Sequence, residues 1–274
     1  MARKRITQRF PWLLPLRRRQ RIFCFYAKMR FDRNRYADHQ TKKLLPVKMF
    51  ESSCPMYNRD TGFDMVYQEN KVFNLKLAAA TLDGLLIAPG ESFSFWNRVR
   101  YADRQTPYRD GLAEVDGKLT VQYGGGLCQI SNLLCWLFLH TPLTITERHG
   151  HGKKEFPEPP SDAPMGVDAT VAEGWLDFKV RNDTDRRFQL SLTFDDEHII
   201  GQIRTDQETG RAWQVVNRGL SYYQEPGGIF EEVDVVQRIC DISQNRCLSE
   251  TVAYRNRCLI AYSLPAGTNV IERT

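Results

Sequence analysis

The run Gly124-Gly125-Gly126-Leu127-Cys128-Gln129 sets a cysteine behind three glycines, at the head of an apolar-periodic segment. If that segment is a helix, Cys128 stands in its first turn, where unpaired N–H groups and the positive dipole end favour a thiolate. The thiolate is the nucleophilic form, so this placement meets the first requirement of cysteine catalysis. Backbone N–H groups of Cys128 and Gln129, with the Gln129 amide, offer donors for an oxyanion. Gly125 and Gly126 leave the backbone open for a substrate carboxylate at the helix terminus. No lysine follows the glycines as a P-loop requires, so a nucleotide phosphate is not expected. The competing reading is a cysteine that simply packs behind a tight turn.

His149 and His151 follow two residues apart, and either is a candidate base for the thiol. Asp168 is the candidate third member, placed to orient the imidazole and stabilise its cation. The two histidines with Asp168 or Cys128 also make a chelating set, but the expectation is no metal and no cofactor. Arg98 and Arg109, in an arginine cluster among tyrosines, are candidates for binding a substrate carboxylate. Seven cysteines (24, 54, 128, 135, 240, 247 and 258) are an odd number without framework spacing, which points to reduced thiols.

Several elements must position these groups. Asn70 is a candidate cap for a helix over 71–86, where Val72, Leu75, Ala79, Leu82 and Leu86 recur at helical steps. Pro89-Gly90 then precedes an alternating strand over 92–96. Asp116-Gly117 suits the tight turn of a hairpin. A second helix over 127–139 carries Leu127, Ile130, Leu133, Leu134, Leu137 and Phe138 on one face, and Thr141-Pro142 ends it. Strands are expected at 143–149, 167–171, 175–180, 188–194 and 198–204, with a stiff proline loop over 156–166 between the first two. Beyond 205 the strand-like runs are 212–217, 229–238 and 252–262. The fold class is α+β: two main helices packed on an antiparallel-rich sheet, with a small β-rich C-terminal extension. The expected organisation is an amphipathic arm (1–45), a central domain (46–205) and the extension (206–274).

Charge divides the chain unevenly. Residues 1–35 hold twelve Lys or Arg against Asp32 alone, which leaves an acidic body behind a head of net +11. Arginines interleaved with Trp12, Leu13, Phe23 and Phe25 suit an anionic membrane surface, at about 1 kcal/mol per basic residue. A solvated arm packing its aromatics on its own domain is the plainer reading of that head. Nothing after residue 45 has the pattern of a nucleic-acid module, so nucleic acid is not expected as a partner. The apolar patches of the head are too short and proline-broken for a secretory core.

Four motifs in order resemble the VanW family: Asn74-Leu75-Lys76-Leu77-Ala78-Ala79, Pro89-Gly90-Glu91-Ser92-Phe93-Ser94-Phe95, Gly124 to Ser131, and Arg181-Asn182-Asp183-Thr184. Gln68-Glu69-Asn70-Lys71 just upstream also fits. The resemblance implies a role accompanying vancomycin resistance and cell-wall precursor remodelling, without a mechanism. Its Arg-x-x-His motif corresponds to Arg148 and His151, which favours His151 over His149. Many family members are exported with wall-associated domains; lacking those features, this sequence is expected to be cytoplasmic and membrane-peripheral. The order helix-Cys, strand-His, strand-Asp is similar to that of papain- and transglutaminase-like folds, an analogy of parts only. Two functions follow as expectations. One is a thiol-dependent hydrolase or acyl transferase acting on peptide or amide bonds of peptidoglycan precursors. The alternative is a non-catalytic scaffold that binds precursors or resistance enzymes at the inner membrane face.

Overall fold

Proline interrupts a helix in its middle but not at its start, where its missing N–H has no partner to lose. The basic head shows this: Pro11–Leu13 form a 3-10 turn, and Pro15 sits in the first turn of helix α1 (Leu14–Phe31). The computed structural model describes residues 10–115, 118–157 and 161–273, and these form a mixed α+β fold. Phe25 and Tyr26 of α1 pack against the core, while Trp12, Leu16, Phe23 and Phe31 remain exposed.

Helix α2 (Val66–Ala80) begins before the expected residue 71. Asp64 is the reason, since its Oδ1 accepts from Val66 N–H at 3.0 Å. Asn70, expected as the cap, instead lies within α2 and donates to the Asp110 carbonyl at 2.9 Å. The helix also ends early, because Gly84 at φ +76° turns the chain into the short strand Leu86–Ile87. The expected strand 92–96 stops at Ser94, whose side chain accepts from Asn97 N–H and caps the short helix α3 (Phe95–Val99). Helix α4 (Cys128–Leu139) lies where the apolar spacing put it, with Ile130, Leu134, Leu137 and Phe138 fully buried.

Among the described residues, three sheets and a hairpin complete the fold. One sheet orders Arg35–Tyr36, Glu91–Ser94, Lys179–Arg181 and Thr144–Glu147. A second, wholly antiparallel, orders Val47–Pro55, His198–Thr205, Phe188–Phe194 and Leu86–Ile87. Gly201 of this sheet faces α4; a Cβ there would stand 2.7 Å from Leu137 and 3.2 Å from Leu133. The third sheet is a meander of three long strands, Arg211–Glu225, Gly228–Asp241 and Arg246–Ile260, edged by Val270–Glu272 and Lys153–Lys154. The first strand greatly exceeds the run expected at 212–217, the second extends 229–238 at both ends, and the third begins before the expected 252 and ends before 262. Strands Asp110–Val115 and Lys118–Tyr123 form the expected hairpin; its turn at Asp116-Gly117 lies outside the described residues, as do 158–160 of the proline loop.

Three expected strands are corrected. The first is shorter, Thr144–Glu147, and only residues 179 and 180 of the 175–180 run join a sheet, in the strand Lys179–Arg181. Residues 167–171 join none. Val167, Ala169 and Val171 are buried as alternation suggested, yet their neighbours on the backbone are individual groups. Ala169 N–H donates to Asn132 Oδ1, its carbonyl accepts from Ser131 Oγ, and Thr170 N–H donates to the His149 carbonyl. An extended segment satisfied this way needs no ladder.

Candidate active site

The glycine turn has a steric cause at each position. Gly124 and Gly126 adopt φ of +71° and +95°, open chiefly to glycine. At Gly125 a Cβ would collide with the Gly111 carbonyl of the hairpin. Asn74 of α2, fully buried, clamps the loop from the other side. Its Nδ2 donates to the carbonyls of Arg109 (2.9 Å) and Gly125 (3.1 Å), while its Oδ1 accepts from Arg109 N–H (2.8 Å). The chain therefore leaves the turn in a fixed direction, and Cys128 becomes the first residue of α4.

Cys128, His151 and Asp168 come together there. The Cys128 thiol is hydrogen-bonded with the His151 ring and lies 3.6 Å from the Val171 carbonyl. His151 Nδ1–H donates to Asp168 Oδ2 at 2.9 Å, which leaves Nε2 for the sulfur. The His151 backbone N–H donates to the same carboxylate oxygen, also at 2.9 Å. The other oxygen pairs with the Arg148 guanidinium, whose Nε donates to the Asp168 backbone carbonyl at 2.7 Å. Arg148 in turn donates to Asn256 Oδ1 at 2.7 Å and stacks 3.7 Å over Tyr254, both on strand Arg246–Ile260. The tail sheet thus buttresses the third member of the site.

Charge follows from this wiring. Burial opposes ionisation of Asp168, but His151 and Arg148 outweigh it and hold the carboxyl below its usual range. Burial would neutralise His151 too; Asp168 and Cys128 prevail and push the imidazolium up to about 10. Burial raises the Cys128 thiol, yet the bond and charge of His151 bring it below the ordinary thiol value. The combination favours a thiolate–imidazolium pair at neutral pH.

The remaining candidates are placed differently. His149 turns toward Glu147, with Nε2 3.1 Å from Oε1, and takes no part in the Cys128 network. Gln129 spends its amide N–H groups on the Pro55 carbonyl (2.5 Å) and Cys54 Sγ (3.3 Å), and its backbone N–H on the Gly126 carbonyl. Gly125 and Gly126 line the cleft, as do Cys128 and His151. Arg98 is engaged with Thr81, Asp38 and Gln40, and Arg109 stacks 3.9 Å over Phe73, so neither joins the cleft lining. Basic groups that do line it are Arg17, Arg18 and Arg21 of α1, with Arg100, Lys71, Lys153 and Lys154. The cleft measures about 1440 Å³. Among the described residues, no three His, Cys, Asp or Glu side chains converge on a metal position.

Sequence reasoning assigned Arg148 no role beyond its motif, and it missed Asn256 entirely. The Arg-x-x-His spacing was the available signal for the first. Asn256 lies far along the chain, in a segment whose pattern speaks only of strand.

Comparison with known proteins follows the same residues. The sequence model of the family described as "VanW like protein" matches residues 70–204, which include Cys128, Arg148, His151 and Asp168. Over 272 residues, 99% of each chain, this sequence is 55% identical to the "Vancomycin B-type resistance protein VanW" of Enterococcus faecalis. It is 32% identical to the "Uncharacterized protein YoaR" of Bacillus subtilis over 114 residues, 42% of this chain and 36% of the other. No solved structure matches the chain.

Proposed function

This chain belongs to the VanW family, and from that premise we propose that it is an accessory protein of glycopeptide resistance acting as a thiol enzyme on peptide or amide bonds of peptidoglycan precursors. The observation that carries this reading is the continuous hydrogen-bonded order Cys128–His151–Asp168 beside the cleft, with Asp168 anchored by Arg148. The resistance context rests on the name of the E. faecalis relative.

In this mechanism Cys128 Sγ, as thiolate, attacks the carbonyl carbon of an amide and forms a C–S bond. The developing oxyanion is met by the Cys128 N–H at the start of α4, because Gln129 N–H already serves Gly126. His151 passes its proton to the leaving nitrogen as the C–N bond breaks, giving an amine and a thioester. Water, deprotonated by His151, then cleaves the thioester to a carboxylate and regenerates the thiolate. An incoming amine instead of water would yield acyl transfer. Asp168 keeps the ring oriented and stabilises its cation throughout.

The surface of α1 supports a lipid partner for the same reading. Phe23 and Phe31 are 74% and 81% exposed, and Arg17, Arg18, Arg19, Lys28 and Arg30 flank that face. Such a helix suits the interface of an anionic membrane, and its neighbouring arginines line the cleft. The precursor would then be met at the cytoplasmic face. Among the described residues, no helix is long and apolar enough to cross a membrane.

The test is to incubate the full chain with precursor peptides, quench in acid and examine Cys128 by mass spectrometry. A cleaved peptide and an acyl adduct on Cys128, both lost in Cys128→Ala, are expected. Precursor binding with no bond broken and no adduct overturns the enzyme reading in favour of the scaffold.

A further inference from the structure

Lys71 lines the cleft but has no part in the chemistry above. Lys71 and Asn74 sit three apart on α2 and so share a face. Asn74 grips Gly125, while the stem of Lys71 lies against Gly126, where an added Cβ would collide with its Cγ. The side chain lines the same cleft as Cys128 and His151. Its ammonium feels the thiol of Cys54, and among the described residues it makes no ion pair or hydrogen bond. Four carboxylates of the cleft are committed elsewhere: Asp162 to Ser52 and Trp136, Glu173 to Tyr26, Glu155 to Lys153, Asp103 to Tyr123. Burial pushes Lys71 down to about 8, so it remains largely an ammonium at neutral pH.

A half-buried cation without a counter-ion is destabilising, and an anionic ligand offsets that cost. The same cleft holds Arg100 Nε, Tyr108 Oη and Thr170 Oγ1, three buried polar atoms able to donate to an anion and without hydrogen-bond partners among the described residues. We propose that Lys71 binds a free carboxylate of the substrate, so that the peptide handled by Cys128 ends one or two residues beyond the carbonyl under attack. The spacing follows from the chain. Gly126, which the lysine stem crosses, is two residues from Cys128, at most ~7.6 Å between Cα atoms. One or two peptide units bridge such a gap at roughly 3.3–3.6 Å each. A single ammonium matches a carboxylate, which one charge neutralises. The inference rests on the thiol reading and names its substrate class.

Two alkylating agents separate the claims. N-iodoacetyl-alanine carries a free carboxylate one residue beyond its reactive group and N-iodoacetyl-alaninamide does not, and the rate of each at Cys128 of the full chain is read by mass spectrometry. The acid-to-amide rate ratio should fall about tenfold in Lys71→Met and persist in Lys71→Arg, with the rate of the amide reagent unchanged. An unaltered ratio in Lys71→Met overturns the assignment while leaving the thiol reading intact. If Cys128 resists both reagents, the thiol reading fails first. Calorimetry on Cys128→Ala protein then decides the pocket, using N-acetyl-dialanine and its C-terminal amide. Binding of the acid over the amide, lost in Lys71→Met, supports the carboxylate site; equal affinity for both overturns it.

Discussion

Replacing Arg148 by methionine removes the group that joins Asp168 to the tail sheet. Both partners are deeply buried, with 9% and 3% of their side chains exposed. Breaking such a pair strands a buried carboxylate and costs about 3–5 kcal/mol. Asp168 keeps two hydrogen bonds from His151, so the lower end of that range is expected. The loss of stacking on Tyr254 and of the bond to Asn256 acts in the same direction. For a chain of this size the melting temperature should fall by about 6–12 °C, at roughly 2–4 °C per kcal/mol. Thermal unfolding followed by circular dichroism measures it. Arg148→Lys, which keeps the charge but loses the planar fork, should fall between. Arg187→Met is the control: its pair with Asp206 has a half-exposed arginine and is worth at most about 1 kcal/mol. A melting temperature for Arg148→Met no lower than that of Arg187→Met would refute the reasoning.

Leu133→Ala opens space between α4 and Gly201, and should cost about 2–5 kcal/mol by denaturant unfolding; an unchanged midpoint would mean that α4 packs otherwise. The variant Leu16→Ser/Phe23→Ser/Phe31→Ser should lose binding to anionic phospholipid vesicles without loss of melting temperature, because all three side chains are exposed. Equal vesicle binding by the triple variant and the parent would remove α1 as the lipid contact.

Local signals carried much of the fold. Helix α4 announced itself through an apolar stripe closed by Pro142, and strands Phe188–Phe194 and His198–Thr205 through alternation and an acidic turn. Misjudged boundaries came from competition between local and distant partners. Asn70 has the chemistry of a cap, but its amide found Asp110 across the hairpin, and Asp64 capped α2 instead. Leu82 is buried as its spacing required, yet in a turn beyond the helix. Residues 167–171 alternate like a strand because Val167, Ala169 and Val171 face the core while the buried Asp168 meets His151 and Arg148; which groups meet their backbone is decided by α4 and His149, invisible to periodicity. At the site, Cys128, His151 and Asp168 were nameable from residue type and order. Arg98 and Arg109 were drawn in by charge alone, which cannot tell a ligand from a brace. Lys71 was legible only as part of a motif, since its lack of a counter-ion is a property of packing.

The central claim is that His151 and Asp168 activate Cys128, and alkylation against pH tests it most directly. Rates at each of the seven cysteines are read by mass spectrometry from acid to alkaline pH. Cys128 should react with a midpoint below the usual thiol value of ~8.5, since His151 lowers it, and hold its plateau until the imidazolium gives up its proton near about pH 10. In His151→Ala burial acts on the thiol without that partner, so the midpoint should move up; Asp168→Asn should move it in the same direction by less. Cys135, pushed up to about 12 by burial in the same helix, supplies the internal contrast. A Cys128 profile that tracks an ordinary thiol, or one indifferent to both substitutions, would contradict the account.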